Sequence, residues 1–431
     1  MTIPQKAKKI YVVDGIRTPF LKASGQSNGL SAADLGVVCA QQLLLKQSFA
    51  LELIDELIVG CVGPLPNEAN IARIIGLRLG LSPAVPAWTV QRNCASGLQA
   101  LDSAVNQITL GRADVVLAGG TEAMSHAPLL YQSSMADWLA SFKFARRWQE
   151  KIANIIQFRP RYLRPVISLM EALKDPVVGI NMGQTAEKLS DVFGISREEM
   201  DTYACQSHER AIAAESAGYF SNRFPMFDQK GGLYTEDTGV RSDSTLKKLS
   251  KLKPVFERPF GKITAGNSSQ ISDGSAFLIL ASEEAVQKNN LPVLGTITQT
   301  SWAGLDPSIM GLGPVHAISA LLKRECLSME QIDFWEINEA FAGQVLACIK
   351  AMQDDVYCQK NLERQHALGA LDLAKLNIDG GAIALGHPVG ATGARIVLHL
   401  FEVLKRHRAK RGVASLCIGG GQGGAVLLEG V

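Results

Sequence analysis

The sequence predicts an α/β protein that has two similar halves and a different segment inserted between them. Short apolar runs alternate with longer runs of helical periodicity, which is typical of parallel strands joined by crossover helices and not of an antiparallel sandwich. A weak internal repeat relates residues 53–60, Leu-Ile-Asp-Glu-Leu-Ile-Val-Gly, to residues 331–338, Gln-Ile-Asp-Phe-Trp-Glu-Ile-Asn. With 431 residues, the chain is long enough for two or three domains, each with its own core.

Composition and charge exclude several classes of protein. A net charge of +2 gives no general basic surface, so we expect no nucleic-acid partner, and any charged contact surface has to be local. The eight cysteines include no Cys-x-x-Cys pair, which predicts free thiols and no metal site. Residues 1–9 contain no apolar signal region, and no apolar run is long enough to span a membrane. We therefore expect a cytoplasmic protein.

Each half has the same predicted order of elements: a strand, a reactive residue at a helix start, a helix, a strand and paired glycines. In the first half Cys94 precedes the helix, and an apolar strand follows at residues 115–118. In the second half His387 precedes the helix, and a strand follows at residues 413–417. The repeat therefore places Cys94 and His387 at equivalent positions.

The segment between the halves, residues 129–253, is predicted to form an inserted loop domain, because prolines interrupt its helical periodicity. Within it, residues 131–170 contain seven Lys or Arg against two acidic residues. Two interpretations of the stretch 131–165 stay open: a helix that packs its apolar stripe on the body of the protein, or an interfacial helix that contacts a membrane or a partner subunit. The stripe at helical spacing consists of Trp138, Phe142, Ala145, Trp148, Ile152, Ile155 and Ile156.

Cys94 and His387 are the first candidates for chemistry. Cys94 opens a predicted helix, where unpaired backbone N–H groups and the helix dipole favour the thiolate. The alternative, a small buried cysteine, is the commoner fate of this residue type, but the neighbours Asn, Ala, Ser and Gly leave room for a substrate. His387 lies beside a turn between Gly386 and Pro388, where an imidazole can accept a proton from a thiol and then donate to an oxyanion.

A second candidate cysteine lies in the glycine-rich C-terminal segment. Cys417 ends a predicted strand and precedes a run that matches Gly-x-Gly-x-x-Gly, but a dinucleotide fingerprint must open a helix, and only a final strand can follow here. We therefore expect a tight turn whose amides, including that of Gly419, point at a substrate oxygen. Asn338, which follows the repeated strand, is either a helix cap or a polar group that holds a water or a carbonyl.

Four motifs in this order resemble those of the thiolases. They are Asn-Cys-Ala-Ser-Gly at Cys94, Asn-Glu-Ala-Phe at Asn338, Gly-His-Pro-Val-Gly-Ala-Thr-Gly at His387 and Cys-Ile-Gly-Gly-Gly-Gln-Gly at Cys417, and the resemblance extends from residue 10 to residue 429. It implies duplicated βαβαβαββ halves that form a layered αβαβα core, with an inserted loop domain. The implied division is residues 1–128 for the first part of the N-terminal half, 129–253 for the loop domain, 254–290 for the return to the N-terminal half and 291–431 for the C-terminal half.

The resemblance also implies roles for the motif residues. Cys94 would be the acylated nucleophile, His387 would activate it, and Cys417 would move the proton at the α-carbon of the acetyl unit. His387 and a water on Asn338 would form one oxyanion hole, and the amides of Cys94 and Gly419 would form a second. Coenzyme A (CoA) would be a substrate, with no tightly bound cofactor, and its implied contacts are Met182, Arg241, Phe256, Ala265 and Ser269, with Met310 near the acyl pocket.

The function that the resemblance implies is reversible cleavage of 3-ketoacyl-CoA by CoA to acetyl-CoA and a shortened acyl-CoA. The long basic loop resembles the branch that works with a hydratase-dehydrogenase partner in fatty-acid β-oxidation, and the family commonly forms homodimers or homotetramers. Alternatives are a biosynthetic acetoacetyl-CoA thiolase, a non-catalytic acyl-CoA-binding subunit, and a ketosynthase or hydroxymethylglutaryl-type synthase. Cys417 argues against the two synthases, because neither needs a second catalytic cysteine.

Overall fold

A computed structural model describes residues 9–23 and 29–431 of the chain. Residues 1–8, for which we expect no signal region, lie outside the described residues. The strands in the described part are β1 Ile10–Arg17, β2 Leu21–Lys22, β3 Glu56–Gly60, β4 Ala87–Val90, β5 Val115–Ala123, β6 Leu129–Tyr131, β7 Pro165–Ile167, β8 Met226–Phe227, β9 Leu233–Tyr234, β10 Ser272–Ser282, β11 Gly295–Gly304, β12 Phe334–Ile337, β13 Arg411–Ile418 and β14 Gln422–Gly430.

The helices follow the strands in the alternation that the sequence predicts. Over the same described residues they are α1 Ala32–Leu45, α2 Ile71–Arg78, α3 Ser96–Thr109, α4 Ser133–Phe144, α5 Trp148–Gln157, α6 Ser168–Ala172, α7 Met182–Val192, α8 Arg197–Ser216, α9 Leu246–Leu249, α10 Glu283–Asn289, α11 Gly313–Glu325, α12 Ala342–Gln353, α13 Asp355–Leu362, α14 Ala382–Leu385 and α15 Val389–His407. The predicted α/β class is confirmed.

The main sheet is mixed, which corrects the expectation of parallel sheets. Its order is β12-β13-β14-β11-β1-β10-β5-β3-β4, and β2 pairs with β10. Only β3–β4, β3–β5 and β12–β13 are parallel; the other pairs of this sheet are antiparallel in the described part. The glycine turn between β13 and β14 is too short for a crossover connection, so the chain has to reverse there.

The two halves of the sheet lie on either side of a central layer of helices. α3 and α15 pack on each other and on both halves of the sheet, so that Leu98 and Ile396 share one core with Val116 and Leu416. α1 and α2 cover the outer face of the first half, and α11 and α12 cover the outer face of the second. This is the predicted αβαβα layering, and the strands that it buries on both faces are mainly apolar, although β3, β5 and β12 each contain a buried glutamate.

An equivalent backbone anchor in the two halves confirms the internal repeat. The Oδ2 atom of Asp55 accepts hydrogen bonds of 2.8 and 2.9 Å from the two amides at the start of β5. The Oδ2 atom of Asp333 accepts hydrogen bonds of 2.8 and 2.9 Å from the two amides at the start of β13. Because each aspartate begins a repeated strand, both copies fix the next parallel strand in the same way.

The basic stretch contains two helices instead of the one continuous helix that its periodicity suggests. α4 and α5 are separated at residues 145–147 and form a hairpin, in which the ring of Trp138 lies 4.9 Å from that of Phe158 and its Nε1 donates to the carbonyl of Asn154. No residue of α5 is buried. The stripe is therefore divided: Trp138 packs inside the hairpin, and the apolar side chains of α5 face outward. In the described part of the chain, no helix is both long and apolar enough to cross a membrane.

Candidate active site

Cys94 lies in a tight turn between β4 and α3. The turn passes through Asn93, whose φ of 44° is left-handed, and the Nδ2 group of Asn93 donates to the Gly419 carbonyl at 2.7 Å. The hydroxyl of Ser96 accepts from the Arg92 amide at 2.9 Å and donates to the Asn93 carbonyl at 2.7 Å. The Ser96 bonds close the turn around Cys94, and the Asn93 bond joins the predicted Cys94 motif of the first half to the glycine turn of the second.

The two candidate thiols lie close together and are both protonated at rest. Burial raises the pKa of Cys94, and the amides of Gly419 and of Cys94 itself, which bond toward the sulfur, only partly oppose this shift. Burial, followed by the nearby Cys94 sulfur, raises the pKa of Cys417 well above its ordinary value. The amides thus lower the pKa of Cys94 in the expected direction, but burial outweighs them, which agrees with the expectation that His387 activates the thiol.

The glycine turn after Cys417 has the predicted form. Gly420 and Gly421 have φ values of 89° and 76°, which only glycine adopts readily, and β14 follows at once. A side chain on Gly419 would lie 3.2 Å from the Met182 sulfur. The Gly419 amide therefore lies near both Met182 and Cys94. The turn thus presents an N–H group to the thiol and is not a phosphate loop.

His387 is a buried, neutral imidazole whose tautomer follows from its partners. Its Nδ1 lies 2.7 Å from Thr392 Oγ1, and that hydroxyl donates its own proton to the Pro388 carbonyl at 2.9 Å. Nδ1 therefore carries the hydrogen, and Nε2 is left as an acceptor. Burial, helped by the Arg395 charge, lowers the pKa of His387 to about 3. Pro388 is the N-cap of α15 and not its first helical residue.

Asn338 lies directly beside His387. Its Nδ2 group is 3.4 Å from the imidazole Nε2, and its backbone amide donates to the Ser415 carbonyl at 2.9 Å. The side chain is buried, yet its Oδ1 has no hydrogen-bond partner among the described residues. A buried amide oxygen without a partner is costly, so the geometry fits a polar ligand or water at this position. The helix-cap alternative does not hold, because α12 begins at Ala342 with Phe341 as its N-cap.

Glu339 supports the site and was not identified from the sequence. Its carboxylate accepts from Tyr203 at 3.1 Å and Ser207 at 2.7 Å on α8, and from Asn377 and the Ile383 amide, both at 3.1 Å. It therefore joins α8 to the segment that leads to His387. Thr392 was also missed, although it lies within the quoted His387 motif, because its role depends on the helical turn that brings it back to the ring.

The residues expected to contact CoA divide into two groups. Met182 lies at the glycine turn, Phe256 packs on Gly183, and the Ser269 amide donates to the Ala340 carbonyl at 2.9 Å. Phe256 and Ser269 border the Asn338 motif, where they contact Phe341 and Ala340.

The remaining three lie in different surroundings. Met310 is buried in the 3-10 segment Pro307–Leu312, which packs on β13 and β14. Ala265 is exposed. Arg241 is also exposed, and its amide donates to His208, so the structure does not bring its side chain to the thiols. Residues 9–23 and 29–431 contain no group of three or more His, Cys, Asp and Glu side chains arranged to hold a metal ion.

Comparisons with known proteins identify the family. Residues 10–284 match the family described as "Thiolase, N-terminal domain", and residues 291–430 match "Thiolase, C-terminal domain". The chain belongs to the thiolase family. Thiolases are acyltransferases, so the protein is an enzyme of that class.

Individual relatives agree over the full length of the chain. The 3-ketoacyl-CoA thiolase of Yersinia pestis (strain Pestoides F) is 34% identical over 433 residues, which cover 99% of this chain and 98% of the relative. The crystal structure of human mitochondrial 3-ketoacyl-CoA thiolase has a TM-score of 0.85 at 38% identity and covers 99% of this chain and 100% of its own. That of the Bacillus anthracis acetyl-CoA acetyltransferase has a TM-score of 0.85 at 36% identity, with 99% coverage of both chains.

Proposed function

We propose that this thiolase cleaves 3-ketoacyl-CoA with CoA, reversibly, through an acyl thioester on Cys94. One observation supports the proposal: the Cys94 and Cys417 thiols lie close together, and the Asn338 side-chain amide lies 3.4 Å from Nε2 of His387. A Claisen-type exchange needs a nucleophile, a base, two oxyanion sites and a separate acid for the α-carbon. These residues supply each of them.

In the first step, Nε2 of His387 takes the Cys94 proton, and the sulfur attacks the 3-keto carbon. The unprotonated Nε2 can accept this proton, because the hydrogen bond to Thr392 keeps the ring hydrogen on Nδ1. The amides of Cys94 and Gly419 would stabilise the oxyanion that forms on the attacked carbon, and their bonds toward the sulfur support this role. Collapse of this intermediate breaks the bond between C2 and C3 and leaves the acyl group on Cys94.

In the second step, the departing acetyl-CoA enolate takes a proton from the Cys417 thiol. Its oxygen is stabilised by the protonated His387 and by a water on the free Oδ1 of Asn338. A new CoA thiol then transfers its proton to the Cys417 thiolate and attacks the acyl thioester, and Cys94 recovers its proton from His387. The raised pKa of Cys417 supports its role as the acid in the cleavage direction.

CoA would lie along the side of the site bordered by Met182, Phe256 and Ser269, with Ala265 beside it. A human mitochondrial 3-ketoacyl-CoA thiolase, 38% identical with a TM-score of 0.84, has been solved in complex with CoA. We propose that Arg241 contacts a CoA phosphate at the surface.

The enzyme would work in the degradative direction. We place it in fatty-acid β-oxidation, in the cytoplasm, with Met310 near the acyl pocket and with no tightly bound cofactor. A biosynthetic acetoacetyl-CoA thiolase is the alternative, because similar proteins carry both the 3-ketoacyl-CoA thiolase and the acetyl-CoA acetyltransferase name.

A thiolysis assay tests the proposal. Purified protein is incubated with free CoA and with acetoacetyl-CoA or a longer 3-ketoacyl-CoA, and loss of the substrate is followed. We expect turnover by the wild type and by Cys326→Ala, a control at an exposed thiol, and no turnover by Cys94→Ala. Activity that survives in Cys94→Ala would overturn the mechanism, and a wild type without turnover would favour the non-catalytic subunit. A preference for acetoacetyl-CoA over longer chains would favour the biosynthetic alternative.

We also propose a homodimer or homotetramer in which β4 pairs with a second copy. β4 is the last strand of the main sheet, and its outer edge pairs with no other strand in the described part of the chain. Unpaired edges readily accept another strand. Sedimentation equilibrium of wild type and Thr89→Pro would test the interface: a monomeric variant supports it, and an unchanged mass refutes it.

We further propose that residues 1–128 and 254–290 form one half, residues 291–431 the other, and residues 129–253 the loop domain.

The hairpin of α4 and α5 is proposed to contact an anionic membrane surface peripherally. Trp148, Ile155 and Ile156 are 68%, 58% and 73% exposed, next to the seven cations of the surrounding stretch. Cosedimentation with anionic vesicles should fall for the double variant Ile152→Asp, Ile156→Asp and persist for the exposed control Leu45→Asp. If wild type ignores vesicles and the double variant instead loses a copurifying hydratase-dehydrogenase, the hairpin is a protein interface.

A further inference from the structure

Glu122, at the end of β5, is a buried carboxylate that joins the two halves of the chain beside the candidate site. It is 3% exposed. One oxygen accepts from the Gly63 amide at 2.9 Å, and the other accepts from the Val62 amide at 2.9 Å and the Gly390 amide at 3.0 Å. Two of these donors follow β3 in the first half, and the third lies in the first turn of α15 in the second half.

The helix that follows His387 has no cap of its own. The N-cap of α15 is Pro388, which makes no side-chain hydrogen bond to the helix. The first amides of any helix need acceptors, and a carboxylate is the most favourable group at this positive end of the dipole. Glu122 supplies that acceptor from a strand 268 residues away in the sequence.

The approach between these segments leaves no room for adjustment. A side chain on Gly120 would overlap the Gly390 carbonyl, and one on Gly390 would lie 2.5 Å from the Thr121 carbonyl and 2.7 Å from the Glu122 carboxylate. Glycine is therefore required on both sides of the contact. The carboxylate bonds to Gly390 in a fixed arrangement, three residues after His387 and two residues before Thr392.

We propose that Glu122 is a positioning residue, which holds the start of α15 so that His387 and Thr392 face Cys94. The inference rests on the proposed function, because it assigns Glu122 to the base of that reaction. Through the Gly390 amide, the carboxylate sets the place of the imidazole relative to the first-half turn. It touches neither substrate nor thiolate, and its positioning role acts through His387.

The charge of Glu122 also affects the thiol. Burial raises the pKa of Glu122 to about 7, and its charge contributes to raising the pKa of Cys94, after burial itself. The other titratable group that faces the carboxylate is the Cys61 thiol, 3.8 Å away, with Glu68 beyond it. Removal of the charge should therefore lower the pKa of Cys94. Loss of the bond to Gly390 should instead slow the proton transfer to His387.

Two variants separate these effects. Glu122→Gln removes the charge and replaces one accepting oxygen with a donating NH2 group. Glu122→Asp keeps the charge on a shorter side chain. The control is Glu56→Gln, a buried carboxylate on the neighbouring β3 that binds Trp88 and Gln107 instead of α15. For each variant, kcat and KM are measured in the thiolysis assay over a pH series, and the rate of Cys94 alkylation by iodoacetamide is measured over the same series.

We expect kcat to fall roughly 10- to 100-fold in both Glu122 variants, with a much smaller change in the KM for CoA, because misplacement of a base acts on the chemical step. The alkylation pKa should fall in Glu122→Gln and stay near that of wild type in Glu122→Asp and Glu56→Gln. A Glu122→Asp variant with full kcat, or a Glu122→Gln variant with unchanged kcat and alkylation pKa, overturns the proposal. If wild type has no thiolysis, the proposed function fails, and an unchanged alkylation pKa in Glu122→Gln would separately refute the inference.

Discussion

Lowering the pH from 7 to 5 should destabilise the native protein through His387. Burial holds the folded pKa near 3, whereas an unfolded histidine titrates near its ordinary value of 6.5. A base whose folded pKa is depressed loses its stabilising contribution as the pH falls below the unfolded pKa, because the unfolded state then binds the proton and the native state does not. At pH 5 the difference of 1.5 units between the unfolded pKa and the pH corresponds to a loss of about 2 kcal/mol.

Urea unfolding at pH 7 and pH 5 measures this loss when wild type is compared with His387→Gln. Glu122, whose pKa is raised to about 7, contributes with the opposite sign in both proteins, so its effect cancels in the comparison. The wild type should lose about 2 kcal/mol more than His387→Gln over this pH interval. His366→Gln, a change at an exposed histidine, should behave like the wild type. If His387→Gln loses as much stability as the wild type, the imidazole is not held neutral by burial and the reasoning is wrong.

Three further substitutions test the hydrogen-bond partner of His387, a buried ion pair and the second thiol. Thr392→Val leaves the buried Nδ1–H of His387 without its acceptor, a cost of about 1–3 kcal/mol that should lower kcat/KM roughly 10- to 100-fold, whereas Thr392→Ser should keep most activity in steady-state kinetics. Asp237→Ala removes the bidentate partner of buried Arg17 and should cost about 3–5 kcal/mol in the free energy of unfolding; a loss below 1 kcal/mol would contradict this. Cys417→Ser should lower the thiolysis kcat roughly 10²- to 10⁴-fold, and full activity would favour the synthase-type alternatives.

The sequence was sufficient for the residues that carry the proposed chemistry, because each lies in a local pattern. Cys94, His387 and Cys417 all occur where small residues and turns interrupt an otherwise apolar and periodic chain. The repeat was visible for the same reason, since Asp55 and Asp333 occupy the same place in two similar eight-residue segments. Local patterns of this kind can be recognised in the sequence without any knowledge of the tertiary structure.

Contacts between distant segments were not visible in the sequence. Glu122 follows two glycines on an apolar strand, and nothing near it in the sequence indicates that Gly390 is its partner. Periodicity also gave no sign of the break at residues 145–147, because a stripe that turns back on itself keeps its spacing. The antiparallel pairs of the sheet depend on which strands meet, and most neighbours in the sheet are far apart in the sequence.

The equivalence of the helix starts after Cys94 and His387 has a consequence for how such a site can arise and change. Two copies of one unit present their helix starts to each other across the middle of the molecule, and each copy was free to place a different side chain there. One position holds the proposed nucleophile and the other the proposed base, so the proposed division of labour depends on the two copies being different. A substitution that made the two positions alike would remove one of these two proposed roles.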